Sequence, residues 1–401
     1  MKIRSILPLL LVCALALTSC IEAPDKEAQK WEAFEKGSKQ SEVNLVYYSD
    51  LDFETWLKDA VSPALMNRKQ IKLTVEKSKL ASVLPSEEEL QVKSSEGRYD
   101  ILLIRADEYE ALSKKGVLYP NFVTELPNYR KYIAHKDYSN SYIGSKAIGS
   151  DALCFYQRQL HFFYNSDLMF APPKDLDELL EYAEENPGAL VIPHPETEEG
   201  KLFLQAIILS FTDATEFAEP DLSRQDVSKL AVPGLRYLKK LKPYLYAGGS
   251  MMPKDSAELD DLFLDEETHI SLSLNTVHAE EKLKELEYPD YTKSFQPLPV
   301  SVTSPDYLAV IPVNADNKSG AMVVLNEILS TEQQRSMYLD PKLGGAIVYS
   351  KANLDKGLSA VLDEEVKKKS IEKPSSLIKR KVGKIPEPYW QMILDEWRKM
   401  R

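Results

Sequence analysis

Cys154 is the residue whose type could do covalent chemistry. It lies in the stretch DALCFYQRQLHFFYN, close to Asp151, Phe155 and Tyr156. A thiolate beside a carboxylate in an α/β cleft can act as a nucleophile. No His or Glu is placed by the sequence as its base, so Cys154 reads first as a small apolar residue filling a strand. The five histidines are His135, His161, His194, His269 and His278, and none of their spacings matches a helical HExxH pair. No CxxC occurs either, so no metal site is expected. Gly-x-Ser-x-Gly, Walker and dinucleotide fingerprints are also missing, and no cofactor is expected.

Binding groups are better marked than reactive ones. In open α/β sheets, ligands sit outside the carboxyl ends of strands. Polar groups follow three strand-like runs: Tyr48-Ser49-Asp50, Arg105-Ala106-Asp107 and Asn275-Thr276. A fourth candidate is Glu198-Glu199-Gly200, just before an apolar helix whose first N–H groups are free and where glycine permits close approach. Tyr156, with Tyr48, Tyr164 and Tyr307, could offer a ring face to a cation. Asp151 and Ser304 complete the set read from the residues. The Tyr and carboxylate candidates lean towards a cationic or aromatic ligand.

These groups need a scaffold. Residues 42–49 (EVNLVYYS), 71–75 and 99–104 (YDILLI) read as strands separated by helix patterns, so the first lobe reads as β-α-β-α-β-α. Such alternation implies a parallel sheet covered on both faces. Residues 146–167 read as a crossing between lobes with the cleft at its centre. A second α/β lobe follows, with an amphipathic helix at 175–185, an apolar helix at 201–211 and a strand at 269–274. Residues 307–311 (YLAVI) and a helix at 314–329 read as a return to the first lobe. The tail carries Trp390, Ile393, Leu394 and Trp397 at helical spacing, a stripe that needs a core to bury against. The expected parts are therefore lobe 1 over 42–148 and 305–345, lobe 2 over 149–304, and a packed helical segment over 346–401.

The start of the chain is an address. Lys2 and Arg4 precede a twelve-residue apolar run, 6–17, too short to span a bilayer as a finished helix. It ends Leu17-Thr18-Ser19-Cys20, the pattern of a bacterial lipobox, so residues 1–20 read as a lipoprotein signal with Cys20 as the lipidated residue. Residues 21–41 are polar and read as a flexible tether. A lipid on Cys20 would hold the exported chain at the membrane of the cell envelope. Cys154 is then the sole thiol of the mature chain, so no disulfide framework is expected. The chain carries 62 acidic against 50 basic residues, which argues against nucleic acid as a partner.

The segments YDILLIRADEYEALSKKGVLYP, QLHFFYNSDLMFAPPKDLDELLEYAEENPGALVIPHP and YLAVIPVNADNKSGAMVVLNEILSTEQQ resemble the family-1 extracellular solute-binding proteins of ABC importers. The resemblance runs from about residue 42 to the C-terminus and is nearest to a branch loosely linked to thiamine-like ligands. It implies an α/β, two-lobed type II periplasmic-binding-protein fold, each lobe a mainly parallel sheet flanked by helices, with the ligand cleft between the lobes. It implies a monomer that binds a small molecule and hands it to an ABC permease, without doing chemistry on it. Gln159, Tyr164 and Gly200 match that branch. Leu103-Ile104-Arg105-Ala106, Ala152-Leu153-Cys154-Phe155-Tyr156 and Glu199-Gly200-Lys201 depart from it at presumed ligand positions. Cys154 ahead of Phe162-Phe163-Tyr164 also resembles thiamine-degrading transferases of the same fold. Those carry a Glu after a second-lobe strand, where this chain has Ser273-Leu274-Asn275-Thr276. That enzyme, and a solute receptor with no transport role, are the alternatives.

Overall fold

The computed structural model describes residues 26–78, 97–133, 137–143, 146–367 and 369–399. Residues 1–20, read as a signal with Cys20 at its end, lie outside them. Strand β1 (Glu42–Tyr47) is buried along most of its length. It pairs in parallel with β2 (Lys72–Lys77) and with β3 (Ile101–Arg105). Four buried residues and then an exposed arginine make up β3, as expected of a strand covered on both faces that stops at a cleft. A short hairpin, β4 (Tyr142–Ile143) with β5 (Lys146–Ala147), projects beside it.

Strand β6 (Leu153–Arg158) closes the first core and β7 (His161–Asn165) opens the second. Cys154, Phe155 and Tyr156 pack in the first core, whereas Leu160, Phe162 and Tyr164 pack in the second. The chain therefore changes lobes within Gln157-Arg158-Gln159. In the second lobe, β8 (Ile270–Ser273) and β9 (Thr292–Phe295) flank β7, and both run antiparallel to it. The expectation of a mainly parallel sheet thus fails in this lobe, although the two-lobed α/β class stands. The reason is directional: β7 leads away from the crossing, and the next two strands must run back towards it to return the chain.

The return strand is β10 (Ser301–Val310). Its start pairs in parallel with β11 (Lys381–Gly383), and its later residues pair antiparallel with β6 and β3. The register shifts around Pro305 and Tyr307. Pro305 has no N–H to give the ladder, which is where a bulge is tolerated. The Arg158 N–H is satisfied instead by the Asp306 carboxylate at 3.0 Å. A local sequence choice thus puts a charged pair on the crossing.

Two further elements matter. Residues 26–38, read from composition as tether, form the helix Lys26–Ser38. Trp31 and Phe34 lean on the first core, and Lys69 holds Glu35 at 2.6 Å. Apolar anchoring at only two positions gives a polar helix that composition hides. The C-terminal helix Glu387–Lys399 buries Tyr389, Trp390, Ile393, Leu394 and Trp397 in the second core. Each such side chain contributes about 2–3 kcal/mol of burial. Among the described residues, no helix is long and apolar enough to cross a membrane.

Candidate functional site

A cavity of about 780 Å³ opens where the two cores meet. From the first lobe come Asp50, just past β1, Arg105 at the end of β3, and Asp107 and Glu110, which follow it. Ile143 and Lys146 of the small hairpin complete that wall. Arg158, Pro305, Asp306 and Tyr307 form the floor, on the crossing strands. The second wall holds Glu198 and Lys201 from the helix Glu198–Leu209, with Lys384, Ile385, Glu387 and Pro388 from the segment after β11.

Every basic side chain of the lining has an acidic partner. Arg105 donates to Asp107, through Nε at 3.1 Å and through its guanidinium end. Lys146 donates to Glu110, Lys201 to Glu387 and Lys384 to Glu198. Arg158 Nε reaches Asp306 at 3.0 Å. Asp50 accepts the Tyr307 hydroxyl at 2.7 Å. That bond holds the Asp50 carboxyl below its ordinary pKa, and Arg158 and Arg105 add to the effect. Burial opposes the charge on Arg158, but Asp306 outweighs it and the guanidinium titrates above its usual range. Burial alone would raise Glu198; Lys384, Lys201 and Arg158 reverse the sign, so these three cations converge on one carboxylate. Burial pushes the Tyr307 hydroxyl up to about 12, which keeps it a donor. The arrangement can bind and orient a charged solute.

Of the residues expected at the site, Asp50, Arg105, Asp107, Glu198 and Tyr307 are brought together. The rest lie outside the lining. Tyr48 is half-buried, and its N–H bonds Leu103 O at 3.2 Å. Ser49 is buried, and its Oγ accepts the Leu51 N–H at 2.8 Å. Asp151 accepts Tyr109 Oη at 2.7 Å and Ser113 Oγ at 3.2 Å, which ties it to the helix Tyr109–Lys114. Tyr156 is core, its hydroxyl donating to Leu343 O at 2.8 Å. Gln159 is buried and reaches Leu377 O at 3.5 Å. Asn275 donates to Pro341 O at 2.7 Å and Thr276 donates to Tyr338 O, so they dock the second lobe on a first-lobe loop. Ser304 pairs with Arg158 in the β10–β6 register. Glu199 is half-buried and outside the lining, while Gly200 packs its helix start against the carbonyls of Pro193 and His194. Cys154 is buried, and burial pushes its thiol up to about 12.

Sequence reasoning missed Glu110, Lys146, Arg158, Asp306, Lys384 and Glu387, whereas Glu198 and Lys201 lie in stretches it marked. Two signals sharpen the set. Arg158 ends a strand, so the strand-end rule covers it. Glu198 and Lys201 sit three apart and share a helix face, from which Glu199 is turned by about 100°.

A family model described as bacterial extracellular solute-binding protein matches residues 67–363. Protein YnjB of Escherichia coli (strain K12) is 26% identical over 266 residues, 64% of this chain and 66% of that protein. The chain thus spans just under two thirds of that relative's length. Among solved structures, a cyclic alpha-maltosyl-1,6-maltose binding protein from Arthrobacter globiformis superposes with a TM-score of 0.61. It is 12% identical, over 90% of this chain and 92% of that one. A family 1 extracellular solute-binding protein from Bifidobacterium longum subsp. infantis gives 0.58 at 13% identity, over 90% and 94%. At these identities the likeness is one of fold.

Proposed function

The chain belongs to the bacterial extracellular solute-binding proteins, and on that footing we propose that it is the substrate-binding component of an ABC importer. It captures a small charged solute between its lobes and delivers it to a membrane permease, while lipid on Cys20 keeps it at the membrane outside the cytoplasm. The observation that carries this reading is the cavity between the two cores, of a size suited to a small solute and lined by charged side chains from both. Asp50 and Asp107 would face a cationic group. The aromatic part of the expected ligand finds less support. Tyr307 is the ring in the floor, and its hydroxyl is occupied by Asp50. Closure about the crossing strands would bury the solute and form the surface that a permease reads.

The transferase reading has little to stand on. Cys154 lies in the first core, away from the cavity lining, with a thiol that stays protonated at neutral pH. Melting the protein with vitamins, polyamines, sugars and metal ions in turn tests the binding role. A true ligand at a hundredfold its Kd adds about 2.7 kcal/mol to stability. Should no solute raise the melting temperature, while the chain turns over thiamine and Cys154→Ser abolishes the turnover, the enzyme reading wins. Cys20→Ser should move the chain from the membrane to the soluble fraction and leave solute affinity unchanged; persistence at the membrane would sink the anchor.

A further inference from the structure

The second wall of the cavity contains a piece that the family model does not reach. Lys384, Ile385, Glu387 and Pro388 follow β11, beyond residue 363 where the match ends. This piece is fixed at both ends. On one side, the buried Lys381 ammonium donates to Asn140 Oδ1, Ile347 O and Tyr349 O, each at 3.1 Å, all in the first lobe. On the other, the Ile385 N–H donates to Gln205 Oε1 at 2.8 Å, and the C-terminal helix then buries itself in the second core. A wall held this way is pre-organised for its ligand.

The charges on that wall are paired but not saturated. Lys201 and Lys384 are each 17% exposed, and each has one carboxylate partner. An ammonium has three donors, so each keeps capacity for a ligand oxygen. Arg158 meets Asp306 through Nε, and its side chain remains 34% exposed at the floor. Across the cavity, Asp107 is 60% exposed, and Asp50 is exposed as well. A solute entering here must compete with existing ion pairs. A dication would bring its charge against Lys201 and Lys384. A dianion would meet Glu198, Glu387 and Asp50. A neutral sugar would need a ring to stack on, yet Tyr307 packs edge-on against Phe53 and Tyr156, with centroids 5.1 and 5.8 Å away. A solute with one charge of each sign can replace partners on both walls and strand neither.

We propose that residues 381–388 form the selectivity wall and that the solute is a small aliphatic zwitterion. Its carboxylate lies at Lys201 and Lys384, and its ammonium at Asp50 and Asp107. This rests on the solute-binding reading above and narrows it.

The test is calorimetric titration of the full chain, solubilised in detergent, with probes matched in length. These are 5-aminopentanoate, 1,5-diaminopentane and glutarate, with glycine betaine, L-glutamate, L-lysine and maltose added. The expected result is that a zwitterion binds about tenfold or more tightly than the diamine, the dicarboxylate or maltose. Lys384→Gln should then weaken it by about 10- to 100-fold while Lys384→Arg restores most of the affinity. A melting temperature for each variant separates lost binding from lost folding. Tighter binding of the diamine, glutarate or maltose overturns the zwitterion and leaves the solute-binding role intact. Unchanged affinity in a folded Lys384→Gln chain overturns the selectivity wall. Binding of no probe overturns the class; if native mass spectrometry of chain incubated with bacterial extract also shows no bound small molecule, the solute-binding role falls with it.

Discussion

His161 starts β7 with its ring buried and, among the described residues, neither ring nitrogen has a hydrogen-bond partner. Its ring meets Tyr338 edge to face at 6.0 Å. Burial drops its pKa from 6.5 to about 3. A depressed value in the folded state means that the unfolded chain takes up a proton first. The stability this residue contributes is therefore whole above pH 6.5 and is lost as pH falls towards 3. His161→Phe keeps the ring contact and removes the titration. Between pH 7 and pH 4.5 the wild type should lose about 2–3 kcal/mol relative to this variant, read from urea unfolding at each pH. Equal losses in both proteins would mean that the ring is protonated in the fold. Cys154 makes the complementary case. With its thiol near 12, it should not react with a disulfide reagent at pH 8 until the chain is unfolded, and Cys154→Ala should alter solute affinity by no more than about twofold.

The helix Glu198–Leu209 shows what the sequence carries at the scale of an element and what it does not. Its cap is local: Thr197 Oγ1 accepts the Gly200 N–H at 3.1 Å, and the apolar run behind it is plain to read. Its first turn is less plain. Reading the helix from residue 201 leaves 198–200 as a loop in which Glu198 and Glu199 are equivalent; the start at Glu198 puts Glu198 and Lys201 on one face, at the cavity. A longer-range limit hid Asp306 and Lys384. Ser304 pairs with Arg158, and Ser301 with Lys381, because segments some 80 to 150 residues apart come into register. No short-range period encodes such a meeting. By contrast, the buried runs of β1 and β3 and their polar ends gave Asp50, Arg105 and Asp107 from pattern alone. The second-lobe strands were recognisable too, but direction depends on which way the chain must return. A Cβ on residue 200 would lie 2.2 Å from His194 O and 2.5 Å from Pro193 O. Gly200→Ala should therefore cost about 1–3 kcal/mol and displace the helix start that carries Glu198 and Lys201. Denaturant unfolding reads the first effect and ligand titration the second; an unperturbed variant would show that the loop 193–194 yields freely.

At the scale of the molecule, two cores are joined by three crossings: β6 into β7, β10 on its return, and β11 into the C-terminal helix. The last differs in kind, because it joins an anchor in the first lobe to packing in the second. Ile378 lies in the first core and Ile385 in the second, with Lys381 held between them by first-lobe oxygens. The C-terminal helix then supplies Trp390 and Trp397 to the second core. Removing Trp390 takes a large, nearly wholly buried ring from one core while leaving the other intact, a change of about 3–5 kcal/mol. If the lobes are separate cooperative units linked by these crossings, that cost falls on one of them. In Trp390→Ala, hydrogen exchange should quicken over residues 160–300 and 385–399, while residues 43–76 and 101–126 keep their protection. Uniform quickening across both sets would mean that the crossings bind the lobes into one unfolding unit. In that event, closure would require more than bending at the crossings. The separate outcome is what a two-lobed clamp needs, since each lobe must stay intact while the angle between them changes.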